Sequence, residues 1–272
     1  MAVGDCVRTP TPQTGGSVRS LGDYAGRYQN AKLTRSGKGV LEVVLHTDDG
    51  PLQWSESAHR ELPMLFADIA ADPGNRVVVI TGTGDVFCTR LAREGWPDQA
   101  WSTLADKMLV EGTRLLENLL SITVPVIGVV NGPAKVHGEL VAMSDIVLAS
   151  DTAMFSDIHL ENGFATGDGA HIFWPMVLGP NRGRHFLLTG QEVSAEEALR
   201  LGVVQELLPH DKVLDRARDI AHRLAEHSTL SLRGSKIAMA QEIRRRLIDQ
   251  LALGLSLETR ADSTHWPDGA KT

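Results

Sequence analysis

Two short stretches of this 272-residue sequence carry side chains that can move protons. Asp157-Ile158-His159 supplies an imidazole, His159, and Thr166-Gly167-Asp168-Gly169-Ala170 supplies a carboxylate, Asp168, nine positions after the histidine. Imidazole has the side-chain pKa nearest neutrality, so it can take a proton from water and give it back. A carboxylate against the ring orients it and stabilises the imidazolium that forms. Upstream, Val136-His137-Gly138-Glu139 supplies another imidazole and another carboxylate. Plainer roles stand beside these. Asp168 can be the N-cap of a helix opening near Gly169. Glu139 can favour a helix start through the dipole. His137 can face solvent from a loop, and a lone histidine such as His159 is often only a polar or core residue.

The flanking patterns say what must hold these groups. Residues 1–30, rich in Gly, Ser, Thr and Pro, predict a flexible arm. VLEVVL at 40–45 reads as a strand, followed by a helix over about 55–71 with Ser55 as its cap and Asp72-Pro73-Gly74 as its stop. VVVIT at 77–81, VPVIGVV at 124–130 and DIVLA at 145–149 are short, apolar and β-branched, the composition of strands covered on both faces. With a helix over about 102–120 between them, they predict crossover units around a parallel sheet. From Asp211 onward the apolar spacing is helical, and no strand is expected after about Leu207.

Composition narrows the classes. Hydrophobic content of 42%, charged content of 22% and net charge −7 describe an ordinary globular chain with no basic surface for nucleic acid. Arg244-Arg245-Arg246 reads as a solvated helix face. Cys6 and Cys88 have neither disulfide nor metal-ligand spacing, so a reducing, cytoplasmic setting is expected, with no metal and no cofactor. No run reaches the roughly 20 apolar residues of a membrane helix, and the first residues lack the order of a signal peptide.

The strings TGTGDVFC, VNGPAKVHGELVAMSDIVLAS and FSDIHLENGFATGDGAHIFWPMVLGPNRGRHFLLTGQEVSAEEALRLGVVQELLP, in that order, resemble the crotonase (enoyl-CoA hydratase/isomerase) superfamily over residues 33–260. The resemblance implies an α/β fold: a ββα spiral core over 31–210 and a C-terminal α-helical trimerisation region over 211–272. It therefore implies a homotrimer, or a hexamer as a dimer of trimers. Family members hold an acyl-CoA thioester in a backbone oxyanion hole. Here Cys88-Thr89-Arg90-Leu91 replaces the usual Ala-Gly-Ala-Asp, and Val136-His137-Gly138 replaces three glycines, so the approach that glycine permits is lost.

Departures at the catalytic positions point to one subgroup, the β-diketone (6-oxocamphor) hydrolases, which need no CoA and use a histidine and an aspartate nine residues apart. The match extends to GDGAH, NRGR, FLLTGQE and VVLHTDDG. By this resemblance His159 and Asp168 are the catalytic dyad, His137 is the oxyanion donor, and His46, Trp54, Glu139 and Glu258 contact a small diketone substrate. Trp54, Leu91, Trp96, Phe155 and Phe164 are the expected shapers of the pocket. Two other readings stay open. A CoA-dependent hydratase would use Glu139 with His159, and CoA-thioester binding would reveal it. A non-catalytic binding protein on this fold would leave His159 and Asp168 apart or away from a cavity.

Overall fold

A computed structural model describes residues 19–92, 96 and 101–262. In chain order it contains β1 (Ala31–Arg35), β2 (Val40–Leu45), β3 (Leu52–Trp54), α1 (Glu56–Ala71), β4 (Val77–Gly82), β5 (Cys88–Leu91) and α2 (Trp101–Ser121). Next come β6 (Val126–Val130), β7 (Pro133–Ala134), α3 (Gly138–Ala142), β8 (Ile146–Ser150), β9 (Met154–Phe155), α4 (Ala170–Leu178) and α5 (Pro180–Thr189). The chain closes with β10 (Val193–Ser194), α6 (Ala195–Arg200), β11 (Glu206–Leu208), α7 (His210–Leu224), α8 (Thr229–Met239) and α9 (Gln241–Asp262).

The strands form two sheets, one ordered β1-β2-β4-β6-β8-β11 and the other β10-β9-β7-β5-β3. From β2 to β9 the chain gives strands alternately to the first sheet and the second, and after each of the first three such pairs a helix follows. That alternation is the ββα spiral. Within the sheets β2-β4-β6-β8-β11 and β3-β5-β7-β9 pair in parallel, while β1 and β10 add antiparallel edges. The second sheet, made of strands of two to four residues, left no period in the sequence long enough to read.

The first sheet is covered on both faces, as its composition predicts. Val77, Val79, Ile127, Val129 and Leu148 pack under Val213, Ala217, Ile220 and Ala221 of α7, while Val78, Ile80, Val126 and Val130 join the main core. Burying each such side chain contributes about 1.5–3 kcal/mol, and cutting Ile127 to Ala would cost about 2–5 kcal/mol. Helix α1 starts as its sequence dictates, with the Ser55 hydroxyl accepting the Ala58 N–H at 3.2 Å.

Residues 19–30, expected within a flexible arm, are packed instead. Tyr24 is fully buried and its hydroxyl reaches Asp72 at 3.0 Å, while Arg27 and Tyr28 converge on Asp68. Residues 1–18 of that expected arm lie outside the described residues, as does Cys6. No helix among the described residues is long and apolar enough to cross a membrane.

Candidate active site

Parallel strands share a direction, so β3, β5, β7 and β9 end at the same edge of the second sheet. Trp54 and Leu91 close β3 and β5, Lys135 to His137 follow β7, and Asp157 to His159 follow β9. These strand ends line a cavity whose other wall is Met108, Gly112 and Leu115 of α2 and Leu255, Glu258 and Thr259 of α9, with Phe164 and Asp168 from the loop before α4. Helix α9 reaches the site through a close crossing. A Cβ on Gly167 would lie 2.1 Å from the Gly254 carbonyl oxygen, so only glycine fits there, and Glu258 follows one turn later.

Asp168 stands between two imidazoles. Its Oδ2 is 3.1 Å from His137 Nδ1 and 3.2 Å from His159 Nε2. Glu258 Oε1 lies 3.8 Å from the same His159 Nε2. On the other side of that ring, Asp157 faces Nδ1 at 3.0 Å and accepts the His159 backbone N–H at 3.1 Å. Burial alone would push His159 down, but the charges of Asp168 and Asp157 outweigh it and hold the imidazole well above its usual range. Burial opposes ionisation of Asp168 too, yet His159 and His137 hold its carboxyl far below the ordinary value.

His137 occupies the left-handed region at φ 49°, ψ 35°, where a non-glycine residue is strained. The conformation turns its Nδ1 back to Glu139 at 2.8 Å, and its ring lies on the Trp54 indole with centroids 3.7 Å apart. Glu139 is 2% exposed and sits behind His137 instead of on the cavity wall. The expectation that it contacts substrate is corrected accordingly. Burial and then the Asp168 charge push its carboxyl up.

The expected role of His46 is also corrected. It is buried beyond β2, accepts the Asp49 N–H through Nδ1 at 3.3 Å, and lies outside the cavity lining. Phe155 packs beneath the site on Trp174, whereas Trp54, Leu91, Trp96 and Phe164 do line the cavity. Asp168 is not the N-cap of α4. That position belongs to Gly169, although Asp168 Oδ1 accepts the Ala170 N–H at 3.3 Å.

The sequence reading missed His59. It sits in the first turns of α1 on the cavity wall, edge-on to Trp54 and Trp96, with Nδ1 2.7 Å from Glu111. Lys107 holds Glu111 from the preceding turn of α2. Burial pushes His59 down against the pull of Glu111. Its apolar neighbours at helical spacing gave it the look of a core residue, and no signal within α1 separates the two. Metal-ligand spacing is absent from the sequence, yet the fold assembles two donor sets, His137/Glu139/Asp168 and His159/Asp168/Glu258, each with its atoms within 4.8 Å.

The arrangement offers an acid–base imidazole, a second imidazole on the same carboxylate, and a largely apolar enclosure in which charges act strongly. Comparisons with known proteins place it among relatives. The enoyl-CoA hydratase/isomerase family profile matches residues 37–266. Carnitinyl-CoA dehydratases of Salmonella arizonae and Proteus mirabilis are 31% and 30% identical, over 81% and 76% of this chain and 82% and 79% of their own. A β-diketone hydrolase from the cyanobacterium Anabaena, solved with (S)-3-oxocyclohexyl acetic acid, is 41% identical with a TM-score of 0.85, covering 88% of this chain and 96% of its own. An enoyl-CoA hydratase/isomerase from Mycobacterium paratuberculosis is 26% identical with a TM-score of 0.80, covering 87% and 95%.

Proposed function

The chain belongs to the enoyl-CoA hydratase/isomerase family, the crotonase superfamily, and from that premise we propose that it hydrolyses a C–C bond of a β-diketone without CoA or metal. The observation that carries this reading is one cavity in which Asp168 Oδ2 lies 3.2 Å from His159 Nε2 and 3.1 Å from His137 Nδ1, bringing together residues from separate strand ends and loops. Water held against Nε2 gives its proton to the neutral His159 ring while its oxygen attacks one carbonyl carbon. His137, with a proton on Nε2, donates to the oxyanion that forms. The C–C bond then breaks, and its electron pair passes into the enolate of the second carbonyl. The His159 proton returns to the enolate carbon, leaving a keto acid. This is a retro-Claisen cleavage. His59, held by Glu111, faces the cavity from another wall and orients the second carbonyl.

The likeness to the Anabaena hydrolase supports the reading, because the molecule bound there is a keto acid, the product class such cleavage leaves. The likeness to carnitinyl-CoA dehydratases favours a second reading, a CoA-dependent hydratase. Against it counts Glu139, the carboxylate that reading uses, which is buried behind His137 and does not line the cavity. A catalytically idle scaffold would have no reason to bring His159 and Asp168 together in a cavity.

The test is a panel of mono- and bicyclic 1,3-diketones, followed by loss of diketone ultraviolet absorbance after EDTA dialysis and with no CoA. Turnover is expected. Turnover only with CoA thioesters, or only with metal restored, overturns the proposal. We further propose a trimer or a dimer of trimers in a reducing cytoplasm. Ile248 and Leu253 of α9, 79% and 64% exposed, and the free Cys88 support it. Light scattering that reports a monomer at micromolar concentration would reject the assembly.

A further inference from the structure

His159 has carboxylates on both ring nitrogens, and the two are not equivalent. Asp168 meets Nε2 from the loop before α4, where it is shared with His137. Asp157 meets Nδ1 from the same short segment as the ring, with Oδ1 and Oδ2 at 3.1 and 3.0 Å, and its Oδ1 also takes the His159 backbone N–H. The Asp157 carboxylate is thus fixed to the backbone of the residue whose ring it faces, and it is buried. A hydrogen donated from Nδ1 to this carboxylate determines which nitrogen is left for chemistry.

We propose that Asp157 is the positioning residue of His159, holding the proton on Nδ1 so that Nε2, on the side of Asp168 and Glu258, is the nitrogen that works on water. The inference rests on the hydrolase reading for its catalytic meaning. It also divides the labour between the aspartates: Asp157 sets ring and tautomer, and Asp168 receives and shares charge between two imidazoles. The charged and titratable groups that face His159 are Asp157, Asp168, Glu258, His137 and, more distantly, His171 of α4. Of these only Asp157 addresses Nδ1.

The plainer role is a turn, in which Asp157 does no more than accept the His159 N–H. Asp157→Asn keeps an oxygen for that bond and removes the charge from the ring, so it separates the two. The experiment uses the full chain with 15N-labelled histidine, the His159 signal being identified by its loss in His159→Gln. In the parent, the neutral ring should show its proton on Nδ1. In Asp157→Asn the ring midpoint should fall by about one pH unit or more, as loss of a charge within hydrogen-bond reach implies. On a diketone the parent cleaves, kcat should drop roughly 10–100-fold with little change in KM, and the kcat midpoint should move to lower pH with the ring. Asp157→Glu should recover part of the rate. An unmoved ring titration overturns the proposal whatever happens to the rate. A moved ring with unchanged kcat overturns the positioning role. If the parent cleaves no diketone, the hydrolase reading fails, and the ring titration still decides whether Asp157 governs His159.

Discussion

The imidazole of His137 lies on the indole of Trp54, 3.7 Å between centroids and tilted by 39°. The contact completes a placement that the left-handed backbone begins, since one turns the ring toward Glu139 and the other keeps it there. Glycine adopts this conformation freely and alanine does not. His137→Gly should therefore melt no lower than His137→Ala, the two differing by about 1 kcal/mol in favour of glycine. Both should lose roughly 10²–10³-fold in kcat with the oxyanion donor gone. Thermal melts and single-substrate kinetics of the two variants check this. A glycine variant that retains the rate would remove His137 from the chemistry.

The dyad is read best from its double variant. His159→Ala should lower kcat roughly 10²–10⁴-fold. Asp168→Asn keeps the shape but loses the charge shared by both imidazoles, and should be comparably severe. If the two act as one unit, the double variant is little worse than the worse single. Multiplying losses would argue that they act independently, and near-parental turnover by His159→Ala would discard the mechanism.

On the alkaline side, rate and the stability contribution of His159 should run in opposite directions with pH. The pKa of His159 is raised above 6.5, so its contribution to stability is whole below pH 6.5 and fades as pH climbs through the folded value. The pKa of Asp168 is lowered below 3.8, so its contribution is whole above 3.8 and fades as pH drops through the folded value. Both are complete between 3.8 and 6.5. The base must be neutral, so kcat should increase where the stability contribution declines. Melts and kcat of the parent, each referred to His159→Gln, follow the two curves. A rate that falls together with stability on the alkaline side contradicts the assignment.

Gly254 tests the crossing that brings in α9. A Cβ there would lie 2.3 Å from His171 Cε1 and 2.4 Å from the Gly167 oxygen. Gly254→Ala should cost about 1–3 kcal/mol, lowering the melting temperature by several degrees. It should also reduce kcat about tenfold or more, because Glu258 is displaced. The assay and a melt together check it. Unchanged kcat with a lower melt would remove Glu258 from the working site.

The first sheet and its helices were legible because VVVIT and VPVIGVV carry their burial in their composition, and Ser55 announces its helix. The second sheet was not, since pairs such as Pro133–Ala134 are too short to hold a period. The His159–Asp168 contact was foreshadowed by resemblance and not by any rule of spacing. His46 misled because a histidine just beyond a buried strand resembles one facing a pocket, until the turn that follows takes its nitrogen. Asp157 was visible beside His159 but gave no sign of which nitrogen it would meet.

Helix α9 follows every other contributor to the site along the chain, yet it supplies Leu255 and Glu258 to the cavity. Until that helix docks, the cavity lacks the wall that Leu255, Glu258 and Thr259 form, and nothing on that side keeps bulk water from the two imidazoles. The same helix puts Leu247, Leu251 and Leu255 into the main core, so closing the site and completing the core are one docking event.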